Sequence, residues 1–443
     1  MSRIARALLT AATAAALLAS GAQAQLLGGI ALPPVSLPVP VGNVPVAGPI
    51  LQNILTTPAA QQAINPTLDH VTGVTEQIAQ SGPATLLELR RLRLDQLIRE
   101  NRAQLESDRG LPVRRGVVAV LDPDPASLQL ALRAGFRIVA NEAEPTLGLR
   151  LMQLAVPQGM SAPGGLRLLQ RVAPRLQADV DHIYEPAGGS LLPVAGALAA
   201  SVGPGSGRTI GMIDGGVASH PSLANARIEQ NGFAGAPRPT GHGTAVASLL
   251  VGNQGAFRGA AGGAQLYVAD VYGGNRAAGS ATSIVKALGW LAAKRSQVIN
   301  ISLVGPSNSL VERAVAALRS RGIEVVAAVG NDGPAAPPQY PASYAGVLAV
   351  TGVDARGRAL PEAGRAAHLD FAAPGADMAA ALPGQGYTRV RGTSFAAPLA
   401  AARLLAAGSP SRLAAEARPG KGRVGRGIVC SDCRIDPRTV SAR

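Results

Sequence analysis

Between residues 208 and 407, short apolar runs alternate with stretches of helical periodicity, and this alternation limits the fold more than any other feature. The apolar runs fall at 209–213, 265–271, 298–302, 323–329 and 347–353, and the helical stretches at 242–251, 282–294, 310–321 and 394–407. A strand that is apolar on both sides must be covered on both sides. Helices lying between such strands supply that cover, so the pattern predicts a mostly parallel sheet in an α/β domain. Sheets of this kind bind their ligands outside the carboxyl ends of the strands. Asp214 stands at such an end, which makes it a candidate for chemistry.

Three separated segments add to that candidate. Thr209 to Val217 carries Asp214-Gly215-Gly216, Gly241 to Ala247 carries His242 between two glycines, and Gly392-Thr393-Ser394-Phe395 opens an apolar helical run. A serine hydroxyl is a poor nucleophile at neutral pH and needs a base within reach, which in turn needs an orienting carboxylate. Ser394 at a helix N-terminus would also meet unpaired N–H groups and the positive end of the dipole, where a developing anion is favoured. Taken singly, each residue has a plain explanation: a helix cap for Ser394 and His242, a turn aspartate for Asp214. Together they follow the chain order Asp, His, Ser of subtilisin. The chain resembles the subtilisin-like serine peptidases on these segments.

That resemblance implies a serine endopeptidase with Asp214, His242 and Ser394 as its catalytic triad, acting on protein or peptide substrates without a cofactor. It also implies an oxyanion donor at Asn331, in the Val329-Gly330-Asn331-Asp332-Gly333 segment, which read alone is a turn-forming asparagine. The run Asn300-Ile301-Ser302-Leu303-Val304 is similar to the family strand that pairs with substrate, so Ser302, Leu303, Val304 and Gly330 are expected to bind it. Two residues depart from the family pattern. Val304 stands where glycine is usual and should narrow the pocket, unless it simply packs into the core. Gly215 stands where serine or threonine is usual and removes a hydroxyl donor to Asp214. No acidic ligand loop is present, Asp354 and Asp370 being isolated, and no metal site is expected.

The N-terminal half divides by composition. Residues 1–24 read as a signal peptide, with Arg3 and Arg6 ahead of an apolar stretch and Ala22-Gln23-Ala24 as the cleavage site. Residues 25–82 form a Pro-rich low-complexity segment. Residues 83–110 read as a helix, with leucines at helical spacing continuing to Leu105. A docking or spacer helix is the plain reading, with a membrane-surface helix as the runner-up because Arg90, Arg91 and Arg93 cluster. Residues 111–187 show a β-α-β-β-α-β order, that of a ferredoxin-like fold. This arrangement resembles the inhibitory propeptide of the same family, which implies an intramolecular partner whose C-terminal tail, from Asp181 to Pro186, enters the cleft. His182 is then a structural or surface side chain rather than a catalytic one. Residues 188–207 are a Gly- and Pro-rich linker and processing zone, 208–407 the catalytic domain, and 408–443 a basic, loop-like tail that covers the domain or is disordered.

The formal net charge of +14 raises the question of nucleic acid. The arginines are scattered among acids and prolines without an aromatic platform, so a nucleic-acid partner is not expected. No stretch beyond the signal is long and apolar enough to span a bilayer, and the expected location is secreted or periplasmic. Cys430 and Cys433 are spaced to close a small disulfide loop in an oxidising compartment, with a redox or zinc role as the weaker reading. A catalytically silent peptide-binding protein of the same fold is the alternative to the peptidase.

Overall fold

The computed structural model describes residues 82–188, 190–194, 207–384 and 386–440. The signal and most of the Pro-rich segment lie outside the described residues, as does most of the linker.

The first helix, α1 (Pro83–Glu100), is shorter than its leucine spacing predicts. Asn101 ends it, its side-chain amide donating to the carbonyl of Leu97 at 2.9 Å. Leu105, which fits the helical spacing, instead begins strand β1 (Leu105–Asp108) and is fully buried. That strand pairs antiparallel with β2 (Leu111–Leu121). There follow α2 (Pro125–Arg133), β3 (Arg137–Glu144), β4 (Leu149–Ala155), α3 (Ala162–Val172) and β5 (Gln177–His182). Asp124 and Ser161 cap the two helices, each side chain accepting an N–H of the first turn. β2 pairs antiparallel with both β4 and β5, and β4 with β3, so the four strands lie in the order β5-β2-β4-β3. That is the strand order of a split β-α-β fold.

Beyond it lies a seven-stranded sheet, parallel throughout. Two short pieces, β6 (Glu185–Pro186) and β7 (Ser190–Val194), precede it. Its strands begin with β8 (Thr209–Asp214) and β9 (Arg227–Gly232). After α4 (Gly241–Val251) and a small hairpin, β10 (Asn253–Gln254) and β11 (Phe257–Arg258), comes β12 (Gln265–Asp270). Helix α5 (Ala281–Ala293), β13 (Val298–Ile301), the short β14 (Leu303–Val304), α6 (Ser309–Arg319), β15 (Glu324–Ala328), β16 (Leu348–Val353) and β17 (Phe371–Pro374) follow. Neighbouring side chains point to opposite faces, and each face has its own core. Ile210, Met212 and Val326 pack with Val246, Leu250 and Leu399 of α4 and α7 (Thr393–Ala407). Ile213, Val325 and Ala327 pack with Ile284 and Leu288 of α5 and Leu310 and Val315 of α6. Two-sided burial of this kind explains why the strands read as apolar runs rather than as alternating ones.

No apolar pattern announces β9, whose residues are mostly polar and exposed because it lies at the sheet edge. The stretch at 408–443 also differs from its loop-like reading. It holds a helix, α8 (Pro410–Glu416), and buries Leu413, Val429, Ile435 and Val440. Backbone bridges join Ile428 to Ala372 and Arg418, so the segment covers the sheet edge. Cys430 and Cys433 are joined as a disulfide, which occupies both thiols. Among the described residues, no helix is long and apolar enough to cross a membrane.

Candidate active site

The parallel register sets Asp214 and Asp270 side by side at the carboxyl ends of β8 and β12. Asp270 is an anchor. Its carboxylate accepts N–H groups from Arg238, Tyr272 and Gly273 at 2.8–3.0 Å. Burial raises its pKa against the pull of those donors, and the neighbouring Asp214 charge adds to the rise. Asp214 turns instead to His242. Both carboxylate oxygens lie 2.9 Å from the imidazole Nδ1, and both residues are 1% exposed. A third contact, from the Gly215 N–H at 2.7 Å, completes the carboxylate.

His242 lies in the first turn of α4, which Thr240 caps by accepting the Gly243 N–H at 3.0 Å. The same threonine explains Gly215. A Cβ at that position would lie 2.5 Å from Thr240 Oγ1, so the residue after Asp214 has no room for a side chain. In place of a hydroxyl at 215 there is a cap on the histidine's own helix. The other ring nitrogen, Nε2, is buried and has no hydrogen-bond partner among the described residues.

Ser394 occupies the first turn of α7 and is fully buried. Its carbonyl accepts the Ser302 hydroxyl at 2.9 Å, and Ser302 in turn accepts the Asn300 amide at 3.0 Å. Phe395 sets its ring 5.3 Å from the imidazole of His242, so the serine turn and the histidine meet in one place. The serine hydroxyl does not bond to His242. It donates to the carbonyl of Gly188 at 2.8 Å. Asn331 spans the gap: its Oδ1 accepts the Thr393 N–H at 3.0 Å, and its Nδ2 donates to the carbonyls of both Ala187 and Gly188.

The chain's own tail thus fills the cleft. Ile183 bridges to Ser280, and the Tyr184 N–H donates to Gly279 at 2.7 Å. Glu185 and Pro186 pair antiparallel with Val304 and Leu303, and the Ala187 N–H donates to Ser302 at 2.8 Å. Ser302, Leu303 and Val304 therefore contact an extended peptide through their backbone. Val304 is 6% exposed and leans on Gly330, where an added Cβ would lie 3.1 Å from its Cγ1. Its side chain closes the space between the two segments. Downstream, β18 (Met378–Ala381) pairs with β19 (Tyr387–Arg391), whose other edge takes β7.

One group escaped the sequence altogether. Arg93 of α1 reaches both Glu185 and Asp332, Arg90 reaches Asp332, and Arg276 reaches Glu185. Burial raises the Glu185 pKa, but Arg93 and Arg276 outweigh it and the net shift is downward. Arg90 and Arg93 thus face the cleft, as a docking helix requires, and this corrects the membrane-surface reading for those two residues. Only their partners, far away in sequence, could have revealed this. His182 is likewise buried, 3.1 Å from the Asn308 amide and 3.7 Å from Asp108.

Comparison with known proteins agrees with this architecture. Residues 205–409 match the model of the subtilase family. The chain belongs to that family of serine endopeptidases. It is similar to subtilisin Savinase of Lederbergia lenta, 38% identical over 200 residues that make up 44% of this chain and 73% of that protein. The alkaline protease of Shouchella clausii is 38% identical over 200 residues, 44% of this chain and 52% of its own length. The chain thus spans about half of that relative. Among solved structures, fervidolysin of Fervidobacterium pennivorans, a keratinolytic enzyme related to subtilisin, matches with a TM-score of 0.61. The match covers 74% of this chain and 62% of that one at 18% identity, a likeness of fold that reaches beyond residues 205–409.

Proposed function

We propose that the protein is an exported serine endopeptidase made as a self-processing zymogen, with Asp214, His242 and Ser394 as its triad. The observation that carries this reading is the Asp214–His242 pair, hydrogen-bonded on one side of the ring and unpartnered at Nε2 on the other, beside a peptide already lying in the cleft. The carboxylate fixes Nδ1 as the protonated nitrogen and leaves Nε2 as the acceptor. For reaction, the Ser394 hydroxyl turns from the Gly188 carbonyl to Nε2, passes its proton there, and Oγ adds to a peptide carbonyl. Hydrogen bonds of this kind often form only in the reacting complex. The oxyanion takes the Asn331 amide and a backbone N–H at the start of α7. Collapse releases the amine, protonated by His242, and water then hydrolyses the acyl-serine.

The N-terminal unit acts as propeptide on this reading, since its last strand runs directly into the cleft. The expected export rests on Arg3, Arg6 and Ala22-Gln23-Ala24. A silent peptide-binding protein is the rival reading, and it predicts no reactive serine. A fluorophosphonate probe should label wild type and not Ser394→Ala. A folded wild type that stays unlabelled would sink the peptidase.

A further inference from the structure

We infer that the chain cuts itself between Ala187 and Gly188, and that Arg276 and Val304 choose that bond by reading Glu185 and Ala187. The inference rests on the peptidase reading above and adds the substrate to it.

Two carbonyls share the Asn331 amide, those of Ala187 and Gly188, and three observations separate them. Ala187 is held at both ends, its N–H on Ser302 and its carbonyl on Asn331, as the last residue of the extended ladder. Gly188 has left that ladder with φ +70°. The Ser394 hydroxyl meets the Gly188 carbonyl at its oxygen as a hydrogen-bond donor, which is not the approach a nucleophile makes to a carbon. Finally, Ala187 is 2% exposed and shares its apolar cluster with Val304, whereas Gly188 offers no side chain to select. In the reaction, the Ser394 Oγ–Ala187 C bond forms and the Ala187 C–Gly188 N bond breaks. The serine proton passes through His242 to the Gly188 nitrogen. Water then splits the ester, which leaves Ala187 as a carboxylate and restores Ser394.

The ladder fixes what lies upstream. Because the Tyr184 N–H bonds to Gly279, any peptide in the same register sets its next residue beside Arg276, three positions before Gly279. The Arg276 guanidinium contacts a Glu185 carboxylate that is only 4% exposed. Tyr184 itself lies against Gly305, where a Cβ would come 2.5 Å from the tyrosine ring. A one-residue slip would turn each of these side chains to the opposite face. The bond, the acid two residues before Ala187 and the aromatic ahead of that acid are therefore one specification. Arg93, the second partner of Glu185, belongs to α1 and leaves with the released unit, so Arg276 remains to select an acid in other substrates.

The test uses the full precursor, wild type and Ser394→Ala, with early processing products sized by intact mass. The expected released fragment ends at Ala187, and only in wild type. A fragment ending at Gly188 or elsewhere, or an uncut chain whose serine is labelled by fluorophosphonate, overturns this inference and leaves the peptidase standing. An uncut chain that stays unlabelled after an added protease has removed its N-terminal unit overturns the peptidase itself. The processed enzyme is then given the peptide Tyr-Glu-Pro-Ala-Gly-Gly-Ser and its Glu→Gln and Ala→Phe forms. Loss of a charge-assisted contact should lower kcat/KM about tenfold for the Gln peptide. Arg276→Gln should erase that difference, and Val304→Gly should raise cleavage of the Phe peptide. Equal rates on the Glu and Gln peptides by the unmutated enzyme would overturn the role of Arg276 without recourse to a variant.

Discussion

Two buried ionic clusters border the same cleft, and they are completed to different degrees. In the Arg93 cluster, every carboxylate oxygen meets a guanidinium: Glu185 takes Arg276 and Arg93, Asp332 takes Arg93 and Arg90. In the Asp214–His242 pair the carboxylate is satisfied, yet Nε2 of the imidazole is left bare. A buried polar atom without a partner costs about 1–3 kcal/mol. A fold tolerates that where the atom is to receive something, which on the mechanism proposed above is the Ser394 proton. The saturated cluster has nothing further to accept and serves to hold α1 and the tail in place. Neighbouring charges in one cleft are thus divided between attachment and, on the proposed mechanism, chemistry: the first cluster pairs every carboxylate oxygen, and the second leaves an imidazole nitrogen bare.

The sharpest break of this comparison is at the incomplete site. Ser394→Ala or His242→Ala should lower kcat by about 10⁶, the loss that removing the serine or histidine causes in subtilisin itself. Asn331→Ala should cost about 10²–10³ in kcat, again the value for the oxyanion donor of subtilisin. The readout is single-turnover cleavage of the tail peptide. If Asn331→Ala raised KM and left kcat alone, the amide would be a binding group rather than a donor to the transition state.

The two clusters also differ in how far the sequence exposes them. Asp214, His242, Asn331 and Ser394 each stand in a short local segment with its own glycines or helix start, so the pattern survives without knowledge of the fold. The sheet was legible for a related reason, since two-sided burial leaves strands such as Val298–Ile301 buried at every position and apolar at all but Asn300. The Arg93 cluster joins residues 239 positions apart and is assembled only by tertiary packing. On the sequence, Arg93 is one of four arginines on a helix. The edge strand β9, polar and exposed, was hidden because its sheet position demands no apolar pattern. Leu105 kept the helical spacing but turned into a strand after the Asn101 stop, since spacing says nothing of where a helix ends.

The complete cluster predicts a smaller effect, on attachment. Arg93→Ala strips one partner from both Glu185 and Asp332, and the loss of a buried partner costs about 3–5 kcal/mol. Measured by thermal unfolding of the Ser394→Ala precursor, the substitution should lower Tm, and adding Glu185→Gln should recover part of the loss. An Arg93→Ala precursor as stable as its parent would show that α1 is held by its leucines alone. The pH dependence follows the Glu185 shift. Its folded pKa lies below its ordinary 4.5, so the ion pairs contribute fully above pH 4.5 and are lost as pH falls through the lower folded value. Acidification below pH 4.5 should loosen the precursor, and Glu185→Gln should flatten that part of the profile.

The smallest effect belongs to the neighbouring arginine. Arg91 lies on the same helix but pairs with Glu88 at 2.6 Å on the surface, with side chains 56% and 28% exposed. An exposed pair of this kind contributes about 0.2–1 kcal/mol and is screened by salt. Arg91→Ala should therefore leave precursor stability and processing nearly unchanged, while Arg93→Ala, two residues away, changes both. Equal effects from the two would mean that the total positive charge of α1 matters and not the partners it reaches. A strong salt dependence would then accompany both variants, and the distinction between a saturated lock and an ordinary charged helix would disappear.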